Sequence, residues 1–168
     1  MGTTAVFLGT FDPVHNGHVE VIREAARVFD RLVVLLNDGN PEKEKSSRLF
    51  SVDDRLEFLR NAAEGLTNVE VVHSTAPPAH YARSIGAAWL VRGLRDVHDA
   101  ASEIGFSNAM RSLDESVRVV WFRSYSASSS TELKRRARAG ESLDGLCTDE
   151  VARALSARLG PERPEGLQ

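Results

Sequence analysis

A chain of 168 residues is long enough for one domain to bury a sizeable core. Its composition, 42% hydrophobic and 27% charged with a net charge of −3, excludes a broad basic face for nucleic acid but leaves room for a local anion site. The lone Cys147 excludes an internal disulfide and any multi-cysteine zinc site. No apolar run reaches the roughly 20 residues that span a bilayer and no signal-peptide layout opens the chain, so a cytoplasmic protein is expected.

Short β-like runs alternate with helical ones. "AVFLG" (5–9) reads as a buried strand, and Val19, Ile22, Ala26 and Phe29 then recur on one face of an amphipathic helix. "RLVVLL" (31–36) is a second strand, followed by the long polar loop "NDGNPEKEKSSRLF" (37–50), a length that suggests function. Ser51 and Asp54 form a capping box for a helix carrying Val52, Leu56, Leu59 and Ala63. "VEVVH" (69–73) predicts a third strand, with a short helix over 79–85 that Gly86 stops. "AAWLV" (87–91) and "VRVVWF" (117–122) are the fourth and fifth strands, separated by a helix over 97–112. Two further helices span 129–139, stopped by Gly140, and 148–159. One domain over 1–160 is expected, with a tail from 161 to 168 too polar to fold. Strict alternation argues for an α/β fold with a parallel five-stranded sheet and helices on both faces.

Ligands of such sheets collect beyond the C-terminal strand ends, where strand order reverses. Four of these ends carry residues suited to phosphate. Gly9, Thr10 and two histidines follow the first strand, the lysine-bearing loop the second, "RGLR" (92–95) the fourth and "SYSASSST" (124–131) the fifth. His15 and His18 could ligate a metal, move protons, stabilise an anionic transition state or simply occupy a turn. Their i, i+3 spacing lacks the carboxylate and further ligands of a zinc helix, so no metal site is assigned. Gly17 and His18 stand where the first helix starts, so free N–H groups would face an anion there. The glycine of "RGLR" would permit a turn aiming Arg92 and Arg95 the same way, as two-pronged phosphate contacts require. The serine run opens the basic helix "ELKRRARAG" and would form a second anion-binding helix start. No Walker A or G-x-G-x-x-G pattern occurs.

"GTFDPVHNGH" (9–18) matches the T/H-x-G-H signature of the nucleotidyltransferase superfamily. With "RGLR", Asp99, Glu103 and the "SSS" run in the same order, the chain from about 4 to 159 resembles the bacterial phosphopantetheine adenylyltransferases. That resemblance implies a Rossmann-like sheet of nucleotidyltransferase type and transfer of AMP from ATP to 4'-phosphopantetheine, with Mg²⁺ bound through the ATP phosphates. It implies that Thr10, Phe11, His15, His18, Gly93, Leu94, Arg95, Glu103, Ser128, Ser129 and Ser130 bind ATP. Thr10, Lys43, Pro78 and Arg92 would bind the acceptor, and His18, Lys43 and Arg95 would be catalytic. A homo-oligomer, in the family a hexamer, is implied too.

Departures cluster on the acceptor side. The loop after Lys43 is longer than usual, making Lys45 a rival for the bridging role. Ser102, Met110, Pro77 and Pro78 replace a tyrosine, an asparagine and an apolar pair. Another phosphate or phosphonate acceptor, or use of CTP, is therefore the alternative; a non-catalytic nucleotide-binding domain is the third reading. A phosphate monoester with a second pKa of about 6 is already a dianion at neutral pH, so the chemistry needs positioning and charge stabilisation, not a general base. His18 accordingly reads as a transition-state donor, and the resemblance implies that His15, at the family's variable first position, is the less critical histidine.

Overall fold

The computed structural model describes residues 2–39 and 48–161. Strands and helices alternate as far as β5, which two helices follow: β1 (Thr4–Gly9), α1 (Asn16–Val28), β2 (Arg31–Asn37), α2 (Val52–Ala62), β3 (Val69–Ser74), α3 (Pro78–Ser84), β4 (Trp89–Leu94), α4 (Val97–Leu113), β5 (Arg118–Arg123), α5 (Ser130–Ala139) and α6 (Asp149–Leu159). All five strands pair in parallel, in the order β3-β2-β1-β4-β5. After β3 the chain crosses to the far side of β1, so strand order reverses between β1 and β4.

Alternation along the central strands sends side chains into two cores. Ala5, Phe7, Leu32, Val34 and Leu36 join Ile22, Ala25, Leu59, Leu133 and Leu155 of the helices in the larger one. Val6, Leu8, Val33 and Leu35 meet Ala79, Ala82 and Met110 in the other. The predicted caps hold. Ser51 accepts from Asp54 N while the Asp54 carboxylate accepts from Ser51 N. Gly140 ends α5 in the left-handed region at φ 67°, and Gly86 follows α3 at φ 70°.

The fourth strand departs from expectation. It starts at Trp89 rather than Ala87 and runs through Arg92, Gly93 and Leu94, so "RGLR" is largely strand and not the turn after it. β1 and β4 pair only from Ala5–Trp89 to Phe7–Val91, whereas β4 and β5 continue in register to Leu94–Arg123. Early loss of pairing opens a gap between β1 and β4 at their C-terminal ends, where the functional cleft lies. Gly93 makes no turn there. A Cβ on it would stand 3.2 Å from Val21 Cγ2, so glycine lets α1 pack close against the strand.

Candidate active site

A cleft of about 700 Å³ opens over this switch point. Of the residues expected to bind substrates, Thr10, Phe11, His15, His18, Pro78, Arg92, Gly93, Arg95, Glu103, Ser129 and Ser130 line it. Leu94 and Ser128 do not: the Leu94 carbonyl accepts from Ser124 N, and Ser128 is fully buried behind the wall. Lys43 and its rival Lys45 lie outside the described residues, as does the tail from 162.

The turn between β1 and α1 is the most heavily determined part of the site. Phe11 adopts φ 45°, a left-handed conformation that costs a non-glycine residue about 1–3 kcal/mol. Its ring packs edge-on to Phe7 and to His18, with centroids 5.4 and 4.9 Å away, which holds it there. His15 caps α1: its Nδ1 accepts from Gly17 N at 3.1 Å, while His15 N donates to His18 Nδ1 at 3.3 Å. The two imidazoles thus form a capping box, with ring centroids 3.7 Å apart.

This arrangement corrects the expectation of free N–H groups at the helix start. Asn16 N donates to the Leu146 carbonyl, His18 N to the His15 carbonyl, and Gly17 N to both His15 Nδ1 and Ser128 Oγ. A Cβ on Gly17 would fall 2.9 Å from Ser124 Oγ and 3.0 Å from the His15 ring, so nothing larger fits between them.

The same bonds assign the histidine tautomers. A backbone N–H only donates, so Nδ1 of each ring is an acceptor and the proton sits on Nε2. Burial, the adjacent His15 and the charges of Arg92 and Arg95 hold His18 well below the usual imidazole range. Burial, then Arg95, pushes His15 down to about 4 against the pull of Glu20. Both rings are neutral at pH 7, and His18 can offer an Nε2–H to a phosphate oxygen.

The serine run supplies a cap and a brace. Ser129 accepts from Glu132 N as the N-cap of α5, and Ser130 Oγ donates to the Pro13 carbonyl. Because His15 Nδ1 is an acceptor, the Ser128 hydroxyl donates to it at 3.2 Å. Glu20 of α1 gathers the preceding loop by accepting from Ser124 Oγ, Tyr125 N and Ser126 N. These bonds outweigh the effect of burial and hold the Glu20 carboxyl below the usual range.

On the opposite wall the arginines are pre-paired. Arg92 Nε and Nη2 donate to the two oxygens of Glu103 at 2.8 and 2.6 Å, and its guanidinium lies 4.7 Å from the Phe106 ring centroid. Nη1 reaches the Leu8 carbonyl at 3.3 Å, bridging the gap where β1 and β4 part. Arg95 forks onto Asp99, with both bonds 2.9 Å. Pro78 and Met110 line the cleft, whereas Ser102 turns its hydroxyl back to the Asp99 carbonyl and Pro77 caps α3 outside the cleft. Of the four residues that depart from the family pattern, Pro78 and Met110 thus reach the cleft and Ser102 and Pro77 do not.

Arg55, Asp38 and Asp12 escaped the sequence reading. Arg55 is buried in α2 and bonded to Asp38, and Asp12 accepts from Leu49 N, Phe50 N and Lys134. One signal was available: Arg55 stands among Val52, Leu59 and Ala62, a charge on an apolar stripe. Cys147 is buried, which pushes its thiol up to about 11 and keeps it unreactive. Among the described residues no three His, Cys, Asp or Glu side chains converge as metal ligands.

The cleft lies at the switch point of a parallel sheet, and residues 6–136 match the cytidylyltransferase-like family model, which makes the chain a nucleotidyltransferase. The chain is 40% identical over 158 residues to a phosphopantetheine adenylyltransferase of Thermomicrobium roseum, covering 92% of this chain and 94% of that one. It is 36% identical to the Desulforudis audaxviator enzyme of that name (93% and 95% covered) and 38% to that of Levilactobacillus brevis (94% and 97%). The chain belongs to the phosphopantetheine adenylyltransferase family. Its fold is also that of a Vibrio parahaemolyticus protein assigned as a nicotinate-nucleotide adenylyltransferase, with a TM-score of 0.68 at 18% identity and coverage of 94% and 93%.

Proposed function

We propose that the protein transfers AMP from ATP to 4'-phosphopantetheine, releasing pyrophosphate and dephospho-coenzyme A. One observation carries this reading: a neutral His18 with its donor on Nε2 shares a cleft with Thr10, Arg92 and Arg95. An oxygen of the acceptor phosphate attacks the α-phosphorus of ATP, the bond from that phosphorus to the bridging oxygen breaks, and pyrophosphate leaves. No proton has to move, because the acceptor is already a dianion for most of the time at neutral pH. Catalysis then rests on holding two polyanions together and donating to oxygens that gain charge.

In this reading His18 donates to the reacting α-phosphate, Thr10 contacts both substrates, and Arg92 takes the acceptor phosphate. Arg95, Ser129 and Ser130 face the ATP phosphates, and Lys43 bridges nucleophile and α-phosphate. Mg²⁺ carried by the triphosphate would supply charge neutralisation, since no group of three carboxylate, histidine or cysteine side chains among the described residues converges to hold it. Phosphopantetheine is favoured over another acceptor because Ser102 and Pro77 do not reach the cleft. A homohexamer working in the cytoplasm completes the proposal. The exposed Val97, Ile104 and Leu113 of α4 support an assembly surface, and no described helix is long and apolar enough to cross a membrane.

Pyrophosphate release with Mg²⁺, comparing ATP with CTP in the presence and absence of 4'-phosphopantetheine, tests the reaction. Release that requires ATP and phosphopantetheine together is expected. Equal release with CTP, or none with phosphopantetheine, refutes it.

A further inference from the structure

Arg55 is the largest fully buried side chain and carries a charge, at 2% exposure. Such a residue is a poor way to stabilise a core, because removing a guanidinium from water offsets most of what its ion pair contributes. Its bonds suggest another use. Nε donates to the Ser51 carbonyl at 3.2 Å, and Nη1 to the Thr10 carbonyl at 2.9 Å. Nη1 and Nη2 also fork onto the two oxygens of Asp38 at 2.6 and 2.8 Å. One planar group therefore ties together the residue after β1, the residue after β2 and the N-cap of α2.

Both partners matter to the cleft. Thr10 and Asp38 line it, and the Asp38–Arg55 pair separates it from a neighbouring cavity of about 390 Å³ beside Phe50 and His73. A second buried ion pair acts from the other direction. Asp12 accepts from Leu49 N and Phe50 N, both at 3.0 Å, and from Lys134 Nζ at 2.6 Å. Burial alone would raise Asp12, but Lys134 and the two N–H groups keep its carboxyl below the usual range. Residues 38 and 49–51 are thus pinned to the turn at 10–12, on either side of the segment bearing Lys43.

We propose that Arg55 is a positioning residue for adenylyl transfer: through Asp38 and the Thr10 carbonyl it fixes the backbone that presents Thr10 to the reacting phosphates. With its carbonyl held behind the wall, Thr10 keeps its remaining polar groups for the cleft. Lysine cannot replace this arrangement, because an ammonium cannot fork onto Asp38 while reaching a carbonyl. The inference rests on the adenylyl-transfer reading, but part of its test does not.

The test compares Arg55→Ala and Arg55→Lys with the wild-type enzyme by steady-state kinetics and by amide hydrogen exchange over residues 9–12. In Arg55→Ala, kcat is expected to fall on the order of tenfold to a hundredfold, with KM for ATP changed less than about threefold. Added guanidinium ion, occupying the vacated space beside Asp38, should restore part of that kcat but none in Arg55→Lys. Exchange over 9–12 should quicken in both variants. A folded variant with kcat within about twofold of wild type, or with unchanged exchange at 9–12, overturns the proposal. Should Arg55→Ala not fold, Arg55→Lys decides by the same two criteria. If wild-type enzyme shows no turnover, the adenylyl-transfer reading fails, and the exchange result alone decides whether Arg55 positions Thr10.

Discussion

The two walls of the cleft are built on different principles. Around the β1–α1 turn, the local His15–His18 capping box is braced by residues far away in sequence: Ser128 and Glu20 tie the turn and α1 to the loop before α5 across more than a hundred residues. On the β4–α4 wall, Arg92 and Arg95 are held by Glu103 and Asp99, only 11 and 4 positions downstream. The first wall has neutral histidines with assigned donors; the second has cations partly neutralised by their own helix. A reaction that turns on charge building at phosphorus gains from such a division. In the proposed reaction the histidine donors would need no reorganisation, whereas the arginines would exchange carboxylate for phosphate as substrates arrive.

Removing His18 should break the first wall most severely. His18→Ala is expected to lower kcat by about 10² to 10³ with little change in ATP affinity, as for a donor acting mainly in the transition state. Calorimetric ATP titration beside initial rates checks this split. Arg92→Ala should act instead through binding, weakening the acceptor by roughly tenfold to a hundredfold, the loss of a charge-assisted phosphate contact. If it weakens ATP alone, the assignment of Arg92 to the acceptor and Arg95 to ATP is reversed.

Acid should undo the first wall before the second. His15 binds a proton at its ordinary 6.5 when unfolded but only at about 4 when folded. Between those values the unfolded chain holds more protons, so stability is lost as pH falls from 6.5 towards 4. From pH 7 to 5 this one residue accounts for about 2 kcal/mol. His15→Asn keeps a capping side chain without the titration, and its urea-unfolding stability should fall less steeply over that range. Ser128→Ala sharpens the contrast with a smaller effect. Losing its bonds to His15 and Gly17 should cost about 1–2 kcal/mol of stability and a few-fold in kcat.

The same division explains what the sequence made legible. Alternating strands and helices, the Ser51–Asp54 capping box and the Gly140 stop are local patterns, and apart from the bounds of β4 they stand where they were expected. Arg92 and Arg95 were identified because strand ends in a parallel sheet attract ligands, although β4 runs on to Leu94 and leaves Gly93 a packing role. The misreadings involve partners that only the fold brings together. Gly17 N is claimed by Ser128 from 111 residues away, which no helix-start rule could indicate. Ser128 resembles its neighbours in sequence, yet tertiary packing buries it while Ser129 and Ser130 face the cleft. Arg55 was hidden for a related reason, its partners being distant and its helix otherwise ordinary.

The central claim is that His18 acts as a neutral donor through Nε2. Nitrogen-15 NMR of histidine-labelled enzyme, titrated between about pH 5.5 and 7.5 where an ordinary imidazole ionises, tests it directly. The account predicts a His18 signal of the Nε2–H tautomer, unchanged across that range with ATP absent or bound. A His18 that titrates near 6.5, or that carries its proton on Nδ1, would contradict it.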